Sequence, residues 1–443
     1  NKTIEEEKGN FSKEDFLRIY HDMSVIREFE TMLNLIKIRG EYNEIKYDHP
    51  GPAHLSIGQE AAAVGMAYTL DVDDFIFGSH RSHGEILAKG LSAIAKLSDA
   101  ELEQIMETHF DGKTLAPVKA GHKGTVKELA IKFLLYGTLA EIFARETGFN
   151  KGLGGSMHAF FPPFGVYPNN AIVGGSGDIA VGAALFKKVN RKNGIVVANI
   201  GDASMACGPV WEGLSFATMD QFTELWEGDM KGGLPLIINI MNNQYGMGGQ
   251  TCGETMGYEI AARIGAGLNK DQMHAERVDG YNPLAVIDAY KRKKKILAEK
   301  RGPVLLDVLT YRYSGHSPSD ASSYRSKEEV EAWEKQDSIL WFGNELVDAG
   351  VVTENELVEI RTEITQLVTN TLKLAIDDEV SPHMDMKKYP NLVGEMMFSN
   401  QSINKMEDRP VEVNHPLIEN PRVKQLETKE RFAFDDNGKP HSK

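Results

Sequence analysis

Two cysteines, Cys207 and Cys252, are all that 443 residues contain. So few thiols exclude a disulfide scaffold and fit a reducing compartment: a bacterial cytoplasm is favoured, and a mitochondrial matrix is not excluded. No apolar run reaches eighteen residues, so no membrane-spanning helix is expected. The opening "NKTIEEEKGN" is polar and acidic rather than a secretory leader. Residue 1 is Asn rather than Met, and residues upstream of it are expected. Positive charge is also short: 49 Lys and Arg face 64 Asp and Glu, a net charge of −15. That balance speaks against nucleic acid as a partner. One basic run, "KRKKKILAEKR" at 291–301, lies on helix-like sequence before a Gly-Pro and reads as a solvated helix end. What is plentiful is core material, with 41% hydrophobic and 26% charged residues, as in an ordinary globular chain.

Ser12 with Asp15 forms a capping-box pattern, and Phe16, Tyr20, Met23, Ile26 and Leu33 recur at helical spacing, which predicts a helix over 12–38 stopped by Gly40. "AHLSIGQEAAAVGMAYTL" is again helical. The stretch 96–149 is helix-rich and polar and is expected to be a peripheral insertion. Residues 150–178 are dense in Gly and Pro, an ordered loop rather than a regular element. Strands and helices then alternate: "IVVANI", a helix over 209–220, "LPLIINI", a helix over 283–300, and "PVLLDVLTY". Alternation of this kind predicts an α/β fold, a parallel sheet with helices on both faces. Ser326 with Glu329, and Thr353 with Glu356, are further capping-box candidates. The expected organisation is an N-terminal helix (1–45), an α/β domain (46–345), C-terminal helices (346–400) and an extended arm or linker (401–443).

Two phrases end apolar strands: "IGDASMACG" after "GIVVANI", and "MNNQYGMGG" after "LPLIINI". Ligands of a parallel sheet bind outside the carboxyl ends of its strands. A carboxylate from Asp202 and an amide oxygen from the Asn242–Asn243 pair would be hard oxygen ligands there, suited to Mg²⁺ or Ca²⁺ rather than zinc. Mg²⁺ rarely sits in an all-protein cage, so such a site asks for a phosphorylated ligand. On spacing alone the alternative stays open that Asp202 caps the next helix and the Asn pair only makes a turn.

Here the chain resembles a known family, the alpha subunits of thiamine-diphosphate-dependent 2-oxo acid dehydrogenases. The resemblance rests on Gly201-Asp202-Ala203 with Asn242-Asn243, and on "HLSIGQEA" (54–61), "SHRSHG" (79–84), "KGLGGSMH" (151–158), "AIVGGS" (171–176) and "TYRYSGHSPSD" (310–320), which occur in the family's order over roughly residues 12–345. It implies a thiamine-diphosphate-binding fold, with Asp202, Asn243 and the Tyr245 carbonyl holding Mg²⁺ against the diphosphate. Arg81 and Arg312 match diphosphate-contacting arginines, and the backbone at Val173 matches the position that meets the aminopyrimidine. Ala171, Gly201, Ala203 and Ser204 fall at cofactor-lining positions, and His80 stands where relatives carry Tyr. His54 and His316 match active-site histidines, the first handling protons and the second beside the cofactor in acyl transfer. His158 is read as loop packing.

The same resemblance implies decarboxylation of a 2-oxo acid, pyruvate-like favoured, with transfer of the acyl unit to a lipoyl carrier. An acetoin-cleaving component or a split transketolase-like enzyme is the alternative. The family's activating glutamate belongs to a beta subunit or a fused beta half, which this chain lacks; a lipoyl-bearing acyltransferase would be the next partner. Ala203 replaces the family's second glycine, which suits the site only if its φ is negative. The interval between the two phrases is long, with the extra length placed in 222–233. A serine matching Ser317 is a phosphorylation switch in mitochondrial relatives, but the loop itself reads as polar and mobile.

Overall fold

Ser12 opens the first long helix, α1 (Lys13–Arg39), with a complete capping box, and Gly40 closes it in the left-handed conformation at φ 67°. The computed structural model describes residues 2–257, 259–269, 272–396, 416–428, 433–434 and 440–441. In chain order there follow α2 (Glu60–Tyr68), β1 (Phe75–Phe77), α3 (His83–Lys96), α4 (Asp99–Thr108), α5 (Val126–Ile142), β2 (Val166–Tyr167), α6 (Ser176–Val189), β3 (Val196–Gly201) and α7 (Gly208–Ala217). Then come β4 (Leu236–Asn242), β5 (His274–Asp279), α8 (Pro283–Ala298), β6 (Val304–Leu309), α9 (Lys327–Glu334), α10 (Ser338–Asp348) and α11 (Glu354–Ile376). These elements share one compact unit, Asn1–Met219 with Gly232–Met384.

The six strands form one sheet in the order β2-β1-β3-β4-β6-β5, and every pairing is parallel. All residues of β4 are buried, as a central strand covered by helices on both faces must be. The α/β expectation holds. Gly201 pairs with Met241, and Asn242 with Leu309, so β3, β4 and β6 end level at one edge. That register sets the chain after each strand side by side.

The sequence pattern showed β3, β4 and β6 but not the other three strands. β1 and β2 span three and two residues, too short for any period to show. β5, "HAERVD", is an edge strand in which Glu276 pairs with Arg292 and Lys293, and Arg277 with Asp307.

Residues 96–149 divide. α4 is amphipathic and mostly exposed, but α5 is buried without a break from Phe133 to Ile142. This helix is core, not periphery, because its apolar residues surround it rather than line one stripe. The basic run is largely solvated, as expected, with Lys291, Arg292, Lys295, Lys300 and Arg301 exposed and only Lys293 buried, and several of its cations have partners. Lys291 lies over the Phe11 ring, Arg292 and Lys293 meet Glu276, and Lys294 binds Asp74 and the Thr69 carbonyl.

A second unit comprises Asp220–Lys231 and Asp385–Lys443. The excursion expected at 222–233 holds a π turn, Gln221–Leu225, and a 3-10 turn, Gly228–Met230. Of the expected arm, residues 401–415 lie outside the described residues, and Pro421–Thr428 is helical. Among the described residues no helix is long and apolar enough to cross a membrane.

Candidate active site

A cavity of about 330 Å³ opens at the carboxyl edge of the sheet. Segments after β1, β3 and β4 line it, together with the 54–59 loop, the 157–176 loop and His316. Buried glutamates anchor two of these segments and the Gly-rich turn that precedes a third. Glu60 accepts from Arg27 through Nε and Nη2 at 2.7 and 2.9 Å, and from the Gly58 N–H, which fixes the turn carrying Gln59. Gly58 sits at φ 98°, and a Cβ there would come within 2.6 Å of the Tyr311 carbonyl oxygen, so glycine is required. Glu85 accepts from the Ser79 N–H and hydroxyl, holding the turn that carries His80 and Arg81.

Glu141 does the same for the Gly-rich loop. Its carboxylate accepts from the N–H groups of Asn150, Gly152, Gly154 and Gly155 at 2.6–3.3 Å. Glu141→Gln should therefore cost about 2–4 kcal/mol, because it loses charge-assisted acceptors and brings an NH₂ among donors. Denaturant unfolding checks the cost, and hydrogen exchange should show early opening of residues 150–155.

His83 is not part of the cavity. Its Nδ1 lies 2.7 Å from Glu30 Oε1 and its Nε2 2.8 Å from the Ser156 carbonyl oxygen. Both partners only accept, so both ring nitrogens carry protons, and the ion pair with Glu30 raises its pKa despite full burial.

Asp202 does not cap α7, whose N-cap residue is Cys207 and which has no side-chain cap. The Asp202 carboxyl is buried, accepts from the Thr251 hydroxyl at 2.6 Å and from the Asn243 N–H, and forms no ion pair with a described residue. Burial pushes its pKa up to about 6. The two asparagines diverge. Asn242 donates to Asp307 on β6, whereas Asn243 lines the cavity, donating through Nδ2 to Gln59 Oε1 at 2.8 Å and accepting through Oδ1 from the Tyr245 N–H at 3.2 Å. The hairpin beyond them closes through the Thr251 N–H to Gln244 and the Gly246 N–H to Gly249, which leaves the Tyr245 carbonyl outside its ladder. Ala203 sits in the 3-10 turn Asp202–Ala206 and is not among the positive-φ residues. Its methyl instead crowds Gly246, whose own Cβ would approach it at 3.2 Å.

Arg81 is fully buried, yet its guanidinium donates only to carbonyl oxygens, those of Leu55 and His316, at 2.9 and 3.0 Å. Burial, then the charge of Arg312, lower its pKa to about 9. Arg312 donates to the carbonyls of Gly246 and Ser314 and to the Tyr324 hydroxyl, and its buried Nε has no partner. It does not line the cavity itself and meets the lining through Gly246. Neither arginine pairs with a described carboxylate, so the site holds buried cations and a buried anion that do not neutralise one another by contact.

His54, His80 and His316 cluster on the lining with ring centroids 5.1–5.9 Å apart. Burial and the Arg81 charge lower their pKa values to about 3, 4 and 4. All three are neutral at pH 7, and the buried His54 Nδ1 has no partner. Between about pH 6.5 and 4 the unfolded chain binds protons that the folded chain refuses. Stability should therefore fall as pH drops through that window, by up to about 1.4 kcal/mol per pH unit and ring. Thermal unfolding from pH 7 to 4.5 checks this, and His80→Asn should flatten the slope.

Ala171, Val173, Gly201, Ser204 and Ala203 also line the cavity, and so does His158, with Nδ1 3.0 Å from Asn169 Oδ1. Sequence reasoning assigned no role to Gln59, although "HLSIGQEA" contains it, and passed over Thr251, which no pattern marks.

The chain matches the dehydrogenase E1 component family over residues 31–128 and 122–383. It belongs to that family. The E1 match spans the whole sheet and every cavity segment, and it is the family the motifs pointed to. Among relatives, the chain is 30% identical to the pyruvate dehydrogenase E1 component subunit alpha of Rhizobium meliloti, over 84% of this chain and 88% of the relative. It is 31% identical to the mitochondrial type II alpha subunit of Ascaris suum, over 84% and 78%, and 28% identical to the alpha subunit of Rickettsia felis, over 84% and 94%. This E1 chain thus aligns with these alpha subunits over 78–94% of their length.

Proposed function

We propose that this E1 chain is the alpha component of a pyruvate-type 2-oxo acid dehydrogenase, working on thiamine diphosphate and Mg²⁺. The observation that carries the reading is the unbalanced charge of the cavity. Among the described residues the buried Asp202 carboxylate contacts no cation, and the buried Arg81 and Arg312 contact no carboxylate. A divalent cation bound to a diphosphate supplies both, and no single ion does. Among the described residues no group of three His, Cys, Asp or Glu side chains could hold a metal alone. This agrees with a cation completed by phosphate oxygens. The cation would be held by Asp202, the Asn243 amide oxygen and the Tyr245 carbonyl, and the diphosphate by Arg81, with Arg312 supporting it.

Bound thiamine diphosphate supplies the carbanion that attacks a 2-oxo carbonyl and the electron sink for loss of CO₂. The chain's own part is anchoring and proton handling. His54 and His316 lie 5.1 Å apart between ring centroids. With the Arg81 charge offset by a bound diphosphate, their depressed pKa values would rise toward the working pH, where each can accept a proton and pass it on. Arg81 donates to the His316 backbone carbonyl, and Asp320 accepts from the His316 N–H at 2.7 Å, which fixes that residue against the cavity mouth. Ser317 is half-buried, with its hydroxyl 3.1 Å from that of the exposed Ser319.

Among the described residues no glutamate lines the cavity. The activating carboxylate then comes from a beta subunit or fused beta half, and the acyl group leaves on a lipoyl-bearing acyltransferase. Two free cysteines suit a reducing compartment such as a bacterial cytoplasm. Purified alone, with thiamine diphosphate, Mg²⁺ and pyruvate, the chain should release CO₂ at least about 10³-fold more slowly than with its beta partner, as expected when a positioned acid/base group is missing. Full decarboxylation by the isolated chain would overturn the reading.

A further inference from the structure

We propose that Gln59 and Thr251 are positioning residues that present Asn243 and Asp202 to a divalent cation; this rests on the Mg²⁺–diphosphate reading of the cavity. Neither side chain is among the cation's expected ligands. An asparagine side chain can offer a cation either its oxygen or its NH₂, and only the oxygen binds. Here the Tyr245 N–H donates to Asn243 Oδ1 and Asn243 Nδ2 donates to Gln59 Oε1, so the two contacts select the same flip. Gln59 is itself held: its N–H donates to the Ser56 carbonyl, and the next residue, Glu60, is locked by Arg27.

Thr251 joins the two jaws. Its buried hydroxyl donates to Asp202 Oδ2 at 2.6 Å, and its N–H closes the hairpin that carries Tyr245 by donating to Gln244. One residue thus ties the carboxylate after β3 to the carbonyl after β4. Hydrogen bonds of this kind, which orient ligands without touching the metal, typically carry 10–100-fold in metal affinity.

The test uses the full chain with its beta partner, saturating thiamine diphosphate, and Mn²⁺ titrated with the free ion read by electron paramagnetic resonance. Thr251→Val and Gln59→Leu should each weaken Mn²⁺ binding about 10–100-fold, while Thr251→Ser and Gln59→Glu, which keep a donor and an acceptor, stay within about threefold of wild type. Residues that only stabilise the fold would lower the melting temperature and leave Mn²⁺ affinity unchanged below it. Wild-type affinity in Thr251→Val or Gln59→Leu, or an equal loss in Thr251→Ser, would overturn the inference. If the wild-type complex itself binds no Mn²⁺ with thiamine diphosphate, the reading of the cavity fails instead.

Discussion

Asp202→Asn should leave the free protein as stable as wild type, or more stable, while abolishing its stabilisation by thiamine diphosphate and Mg²⁺. The two halves of this result have one cause. In the free chain the carboxylate is buried without a cation, and the Thr251 hydroxyl and the Asn243 N–H offset its desolvation only in part, as the rise of its pKa to about 6 shows. An amide of the same shape carries no such penalty. With the ligand present the balance reverses, because the cation loses its only charged protein ligand. At a ligand concentration of 100 Kd, wild type should gain about 2.7 kcal/mol from binding, and the variant should gain almost none. Thermal unfolding of both proteins with and without the ligand pair reads the difference directly. A ligand-induced shift that survives in Asp202→Asn contradicts the metal assignment.

Arg81→Met should weaken thiamine diphosphate binding by about 10²–10⁴-fold, the equivalent of two charge-assisted hydrogen bonds at about 1.5–3 kcal/mol each. Its second effect separates a charge role from a packing role. After burial, Arg81 is the largest cause depressing the pKa of His54, His80 and His316. Without it the three rings should titrate closer to their ordinary range, so the acid loss of stability should still begin near about pH 6.5 but end at higher pH and be smaller. Proton NMR titration of the histidines measures the shift. Unchanged histidine titration with weakened binding would assign Arg81 to structure rather than to charge.

The strand ends were legible because apolar runs stopped abruptly at polar residues, and the parallel register of β3, β4 and β6 then made them neighbours. Charge balance was not legible. That Arg81 and Arg312 lack carboxylates depends on which groups burial brings near them, and no spacing states that. Asn242 and Asn243 look equivalent in sequence, but the strand ends between them, and alternation sends Asn242 to Asp307 and Asn243 to the cavity. Ser326 and Glu329 show a similar limit. Ser326 does accept from the Glu329 N–H, but the Glu329 carboxylate is drawn to the hydroxyls of Tyr245 and Tyr311, so the capping box stays half made. The buried α5 was misplaced because its Lys and Glu residues suggested solvent, whereas Glu141 is spent on the Gly-rich loop.

Calorimetric titration with thiamine diphosphate, on the chain together with its beta partner, tests the central claim most directly when run once with Mg²⁺ and once with EDTA. A Mg²⁺–diphosphate clamp predicts saturable binding at one site per chain with Mg²⁺ and a loss of at least about 10²-fold without it. Absence of binding in both runs, or equal binding in both, would contradict it.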